Sequence, residues 1–365
     1  MKFAIPFADI RSKLDLFTKL LIFVVLFPIP PLSSAHETKA TVYEADCSIP
    51  KKLSKTRPHP EGPPTEVMIG VFFVDIKEIN DAAQTFTADI FRMLRWSDPR
   101  LSEKSLGRSL EDCEIKLSEV WHPDILSVNG LKAEKLLEDM VDIDRNGDVR
   151  QRQRFRSAEF FSDLDFRDFP FDTQVLYVRM IEFEHEKDQI SFVIDREHIG
   201  IREELSEEGW SIELKGPVVT SEYIDSWNRL VTRIDFQLSA ERDSGYYLWK
   251  VILPIALIVI MAWSVFWIDP SQIGAQIGIS TATIFTLVAF RFSLGYLTPR
   301  VSYFTRLDKF VLLSTILVFI ALVGAVVTAK CSFDGNQQLA KKIDRCSRVI
   351  YLIVFALIIM YSFFL

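Results

Sequence analysis

An extracellular antiparallel β-sandwich followed by a transmembrane bundle of four helices, with several copies closed into a ring, is the architecture this sequence predicts. Three observations carry it. The 365 residues change character near Tyr246, being charged and acidic before it and mostly apolar after it. Strand-like runs separated by turn residues fill the first part. Four stretches of the second part are each long enough to cross about 30 Å of hydrocarbon at 1.5 Å per residue.

Residues 1–35 read as a signal peptide. Lys2, Arg11, Lys13 and Lys19 precede the apolar run Leu20–Phe27, and Ser33, Ser34 and Ala35 supply a small-residue cleavage site. The run ends at Pro28 and is too short to span a bilayer. Residues 36–63 carry Pro50, Pro58, Pro60 and Pro63 among lysines and read as a flexible lead-in. Cys47 and Cys113 would face an oxidising space and are free to pair, their separation being left open by the sequence. Cys331 and Cys346 fall on the cytoplasmic side, where thiols stay reduced.

Residues 64–245 form the outer domain. Val67–Ile76, Phe86–Trp96, Val175–Phe183, Gln189–Ile194 and Arg229–Leu238 are rich in β-branched and aromatic residues with turn residues between them. Helical periodicity is confined to Leu131–Met140. An antiparallel sandwich follows. Asp142–Gly147 opens like a calcium loop, but the twelfth position is Gln153, where a bidentate Glu belongs. Asn146–Gly147 reads instead as a tight hairpin turn, and no metal is expected.

Residues 246–365 form the membrane domain, with spans at about 246–268, 272–297, 310–329 and 349–365. With the outer domain exported, the loop between the last two spans lies in the cytoplasm. It carries Lys330, Lys341, Lys342, Arg345 and Arg348, as the positive-inside rule favours. A multi-pass protein of the cell's inner membrane is expected. The net charge of −7 offers no basic footprint for nucleic acid.

The second span is the polar one. Gln272, Gln276, Ser280 and Thr283 recur at helical spacing, and residues 276, 280, 283 and 287 fall within about 60° on a helix surface. Polar residues inside a bilayer face a bundle interior or water. A water-lined path is the reading adopted here, with Gln272, Gln276, Ser280, Thr283, Leu287 and Arg291 on it. One such helix per chain requires several chains around an axis. A non-conducting receptor anchored in the membrane would not need the stripe.

Several strings resemble the pentameric ligand-gated ion channels, the Cys-loop receptor family. Asp165–Gln174, reading DFRDFPFDTQ, resembles that family's signature loop. Trp96–Leu101 resembles its W-x-D-x-R-L and Trp121–Asp124 its W-x-P-D. Arg242 resembles the arginine before the first span, Pro254 the proline within it, and Leu297–Tyr303 the linker after the pore helix. The cysteines that close the loop in animal receptors would fall at Ser162 and Leu176, so the loop is unbridged, as in prokaryotic members.

The resemblance implies a homopentamer that binds a small-molecule agonist between outer domains and opens to a permeant ion, in contact with membrane lipid and without a cofactor. It is not an enzyme: no nucleophile–base set, phosphate loop or zinc spacing appears. The implied agonist box comprises Phe91, Phe183, Tyr223 and Trp227, whose ring faces suit an amine. Val128 stands where an aromatic is usual, and Phe91 and Phe183 fit a sandwich core equally well. The implied gating contacts are Asp81, Phe169, Pro170, Asp172, Arg242, Pro299 and Tyr303, with Arg242 seeking an anionic partner in Asp172 or Asp81. Monovalent cations are the expected permeant ions, although Arg291 on the pore would repel them. Counting back from Pro299 instead puts Gly278, Ala282, Phe285 and Ala289 on the pore. The polar register is preferred for the inner half because it gives polar groups to water.

Overall fold

The computed structural model describes residues 46–294 and 300–364. The expected signal peptide, the first part of the lead-in and Pro299 lie outside the described residues. Two sheets make the outer domain. The larger has the order β10 (Gly200–Ile201), β1 (Thr65–Asn80), β2 (Thr85–Ser97), β7 (Asp148–Phe161), β6 (Met140–Ile143), β3 (Ile115–Lys116). In it β5 (Gly130–Lys135) also pairs with β7, and β9 (Ile190–Ile194) with β1. The smaller runs β11 (Trp210–Ile224), β12 (Arg229–Arg242), β8 (Thr173–Glu182), β4 (Ile125–Ser127).

Alternation fixes which side of each strand is buried. Val67, Ile69, Val71 and Phe73 of β1 and Leu94 and Trp96 of β2 meet Leu176, Val178 and Met180 of β8 and Ile234, Phe236 and Leu238 of β12. Each such side chain contributes about 1.5–3 kcal/mol by leaving water. The long strand β7 has no apolar alternation across its middle, Arg150–Arg154. In β7 the inward positions are Gln151 and Gln153, and Gln153 Oε1 accepts from Arg92 Nε at 2.8 Å. A buried polar pair there takes the place of an apolar one.

One expectation is refined and two are corrected. The sandwich is antiparallel except at one edge, where β9 and β10 join β1 in parallel. The Leu131–Met140 periodicity belongs to no helix: β5 takes its backbone hydrogen bonds from β7, with all its side chains exposed. The lead-in from residue 46 onward is pinned rather than loose. Cys47 and Cys113 form a disulfide with a Cα separation of 5.6 Å. The buried Arg57 donates to the Pro63 and Pro60 carbonyls at 2.8 and 3.0 Å. A crosslink between residues 66 apart removes unfolded-chain entropy worth about 4 kcal/mol.

The Asn146–Gly147 turn joins β6 to β7. Asp144 Oδ1 accepts from the Asn146 and Asp148 amides, both at 2.9 Å. Gly147 has φ +87°, and a Cβ there would collide with the Asp98 carbonyl, so both turn geometry and space demand glycine.

Four helices follow: α1 (Gly245–Trp267), α2 (Ile273–Leu294), α3 (Arg306–Phe333) and α4 (Gln337–Phe363). In α1 the segment Leu248–Ile252 is π-helical. It lies just before Pro254, which has no N–H to give and crowds the carbonyl four residues back. α3 starts before the expected span because Thr305 and Asp308 form a reciprocal capping box. α4 likewise extends toward the cytoplasm through its lysines and arginines. Arg348 Nε donates to the Phe266 carbonyl at 2.9 Å, and Trp263 Nε1 to the Arg348 carbonyl at 2.9 Å. These bonds hold the basic end of α4 against α1.

Candidate functional site

Where the two domains meet, Arg242 ends β12 and is buried between two carboxylates. Its Nε and Nη2 donate to Asp172 at 2.8 and 3.1 Å, and its Nη1 and Nη2 to Asp81 at 2.9 and 3.0 Å. Asp81 sits in the β1–β2 turn and Asp172 in the loop before β8, so one guanidinium ties three segments distant in sequence. Its carbon lies 4.0 Å from the Trp210 ring centroid and 4.9 Å from that of Phe169. Burial alone would lower the Arg242 pKa, but the hydrogen bonds to Asp172 and Asp81 override it and raise it. Burial pushes the Asp81 carboxyl up, against the pull of Arg242. Trp210 is a cover that no sequence motif suggested; its pairing opposite Arg242 across β11 and β12 puts it there.

The loop containing Asp172 also rests on the membrane helices. Phe169, buried and followed by a cis bond to Pro170, packs edge-on against Tyr247 of α1 with centroids 4.8 Å apart. The Phe166 amide donates to Tyr303 Oη at 2.9 Å, the Leu307 amide to the Phe169 carbonyl at 3.2 Å, and Arg306 Nε to Asp168 at 2.8 Å. Ser162, at one of the two cysteine positions, instead donates to the Val175 carbonyl at 3.1 Å. Hydrogen bonds therefore close this loop.

The four aromatic candidates separate into two places. Phe183 and Trp227 meet edge-to-face at 4.6 Å, and Tyr223 Oη donates to Asn228 Oδ1 at 2.5 Å on the same β11–β12 turn. All three keep exposed surface, so none is sandwich core. Phe91 is on β2 of the other sheet, exposed, with the Arg154 guanidinium 4.8 Å from its ring centroid. Beside Phe183, His185 Nδ1 lies 3.0 Å from the fully buried Glu182 carboxylate. Among the described residues Asp195, Glu197 and His198 bring potential metal-ligating atoms within 4.8 Å of one another. Arg95 already occupies Asp195 at 2.7 and 2.9 Å, which supplies the positive charge from within the chain.

The polar stripe on α2 is corrected. Gln276, Ser280, Thr283 and Leu287 are all buried inside their own subunit. Gln276 Nε2 donates to the Ile268 carbonyl at 3.1 Å and Thr283 Oγ1 to Ile279 at 2.7 Å. These side chains pack inside the bundle, where local carbonyls take up the Gln276 amide and the Thr283 hydroxyl. The opposite face is the exposed one: Gly274, Gly278, Ala282, Phe285, Ala289 and Phe292. Phe285 is 70% and Phe292 77% exposed, and a methyl group added at Gly274 or Gly278 would meet open space. Gly278, Ala282, Phe285 and Ala289 of this face are the four positions counted back from Pro299. Gln272 is exposed in the turn before α2. Arg291 lies on the flank, in a groove with Leu287, Val288, Phe292 and Thr315 of α3.

A β-sandwich seated through a buried arginine on four membrane-spanning helices has the build of a ligand-gated ion channel subunit. Residues 52–244 match the neurotransmitter-gated ion-channel ligand binding domain, and residues 251–338 the neurotransmitter-gated ion-channel transmembrane region. The chain belongs to this family. It is a membrane channel protein with an extracellular ligand-binding domain, and not an enzyme. It is similar to the proton-gated ion channel of Gloeobacter violaceus, 28% identical over 296 residues that cover 80% of this chain and 81% of that one.

Proposed function

We propose that the chain is one subunit of a homopentameric channel. Ligand binding between outer domains opens a pore lined by the Gly278, Ala282, Phe285 and Ala289 face of α2. The observation that carries this is the composition of that face. The exposed surfaces of α3 and α4 carry Ile316, Phe319, Ile320, Val323, Ile353 and Leu357, as lipid contact requires. α2 instead has one face of glycine and alanine punctuated by phenylalanine, which lets helices approach closely around an axis, with Ile277, Ile279 and Val288 exposed on its flanks. The buried polar stripe no longer argues for conduction; the small-residue face does.

The split aromatic set supports a site shared by two subunits. Phe183, Tyr223 and Trp227 supply one wall, and Phe91 with Arg154 the other wall on the next subunit. The first wall suits an amine through its ring faces, and Arg154 suits a carboxylate. An amine carrying an acid group fits both walls. Asp81, Phe169, Asp172, Arg242 and Tyr303 transmit the change to the helices. Asp269 in the α1–α2 turn stays ionised, held at about 2 by hydrogen bonds from Ser271 and then Lys341. It supports passage of monovalent cations past the cytoplasmic mouth.

Substituted-cysteine accessibility tests the pore face. In a background with Cys331 and Cys346 changed to Ser, a water-soluble thiol reagent is expected to block current through Ala282→Cys nearly completely. Ser280→Cys should be spared. Block of Ser280→Cys with sparing of Ala282→Cys would overturn the assignment. The same recordings, with amines, amino acids and acid pH applied outside, identify the agonist class. No current under any of them would count against ligand gating by these chemistries.

A further inference from the structure

One buried carboxylate belongs to none of the sites above. Asp344 lies on α4, about 10 Å along the helix from its cytoplasmic end, and is 1% exposed. Neither carboxylate oxygen has a hydrogen-bond partner. The side chains beside it are Gln276 of α2 and Thr328 of α3, and each already donates one hydrogen bond to a backbone carbonyl. Gln276 Nε2 donates to the Ile268 carbonyl, and Thr328 Oγ1 to the Ala325 carbonyl at 3.1 Å. Beside Asp344 are two further buried polar atoms without a partner: Gln276 Oε1, which can only accept, and, one turn along α2, the Ser280 hydroxyl.

The charged groups that act on this carboxyl are Arg348, one turn on along α4, and Asp269 of the α1–α2 turn. Arg348 donates to the Phe266 carbonyl and lies 4.3 Å from the Trp267 ring centroid. Asp269 is paired with Lys341 at 3.2 Å. Neither cation therefore contacts Asp344. An ionised carboxylate enclosed without a donor is among the costliest arrangements in a protein. A carboxylic acid is the opposite: it has one O–H to give, and Gln276 Oε1 needs one.

We propose that Asp344 is an intramembrane proton-binding site, occupied in this conformation, whose proton controls the seating of α2 from the cytoplasmic side. On release, the O–H bond breaks heterolytically and the proton passes to cytoplasmic water. The carboxylate left behind requires donors, and it draws the Gln276 amide, which now donates to the Ile268 carbonyl, toward itself. Gln276 stands one turn into α2 and Ile268 at the end of α1, so ionisation loosens the turn between them. Control of opening rests on the pore reading given above; the proton site itself does not.

Infrared spectroscopy of the full-length protein in detergent separates the two. At neutral pH, where exposed carboxyls are ionised, the native protein is expected to show a protonated-carboxyl carbonyl band that Asp344→Asn loses. Matching native and Asn spectra would overturn the site. If Asp344→Asn fails to accumulate, Asp344→Glu should keep the band at a shifted position, and its absence would overturn the site equally. In inside-out patches, raising cytoplasmic pH should change native open probability about fivefold or more and leave Asp344→Asn unmoved. Equal responses would overturn the control role. A band in protein that passes no current would retain the site and sink the channel reading instead.

Discussion

Arg242→Ala is expected to silence ligand-evoked current while subunits still reach the membrane. The guanidinium makes four hydrogen bonds to two carboxylates. Truncating it leaves Asp81 and Asp172 facing each other across a buried gap, and breaking such a pair typically costs about 3–5 kcal/mol. That energy is what holds the β1–β2 turn, the Asp165–Gln174 loop and the head of α1 as one body. Arg242→Lys separates charge from geometry: it keeps the cation but loses the fork that serves both carboxylates, so it should also fail. Surface labelling alongside whole-cell current measures both outcomes, and normal currents from either variant would contradict the coupling role.

The same cluster predicts a pH response. Burial holds the Asp81 carboxyl above its ordinary value. As pH falls through that raised value, Asp81 takes up a proton before an ordinary surface aspartate would, and its half of the Arg242 pairing is lost. The raised value favours the protonated folded state, so this group contributes stability that grows toward acid and is absent above its folded pKa. Asp81→Asn should therefore remove one acid-dependent component of gating and leave ligand binding intact. Current against external pH, native beside Asp81→Asn, measures it.

Phe285→Ala is expected to produce a standing current without ligand. Phe285 projects from the exposed face of α2, between Ala282 and Ala289. In a ring of five, its side chains would form an apolar constriction between small residues, and such constrictions close by excluding water. Alanine there widens the passage and removes the apolar surface. A rise in unliganded current of about tenfold corresponds to about 1.4 kcal/mol taken from the closed state. Ile284→Ala, half-buried against the subunit's own bundle, serves as control. Bilayer recording at zero ligand distinguishes them, and equal leak from both would remove Phe285 from the proposed gate.

The arginine cluster was largely legible in advance. Arg242, Asp172 and Asp81 stand out because a charge beside a membrane needs an opposite charge, and two carboxylates at loop positions were available. The prolines and lysines of the lead-in suggest disorder, whereas order there comes from a disulfide and from carbonyls that surround Arg57. Strand β7 is hidden for a related reason: its inward positions are Gln151 and Gln153, the latter paired with Arg92, which leaves no apolar alternation to detect.

The stripe on α2 is the clearest division. The sequence by itself determined that α2 is helical, that it spans, and that Gln276, Ser280, Thr283 and Leu287 share one side, because 3.6 residues per turn leave no other arrangement. Whether that side faces water or protein is not a property of one helix. Both environments satisfy polar side chains, water by solvation and the bundle by carbonyls and neighbouring polar groups. Only the packing of α2 against its own bundle decided it, turning the polar side inward toward Asp344 and leaving glycine, alanine and phenylalanine to face outward.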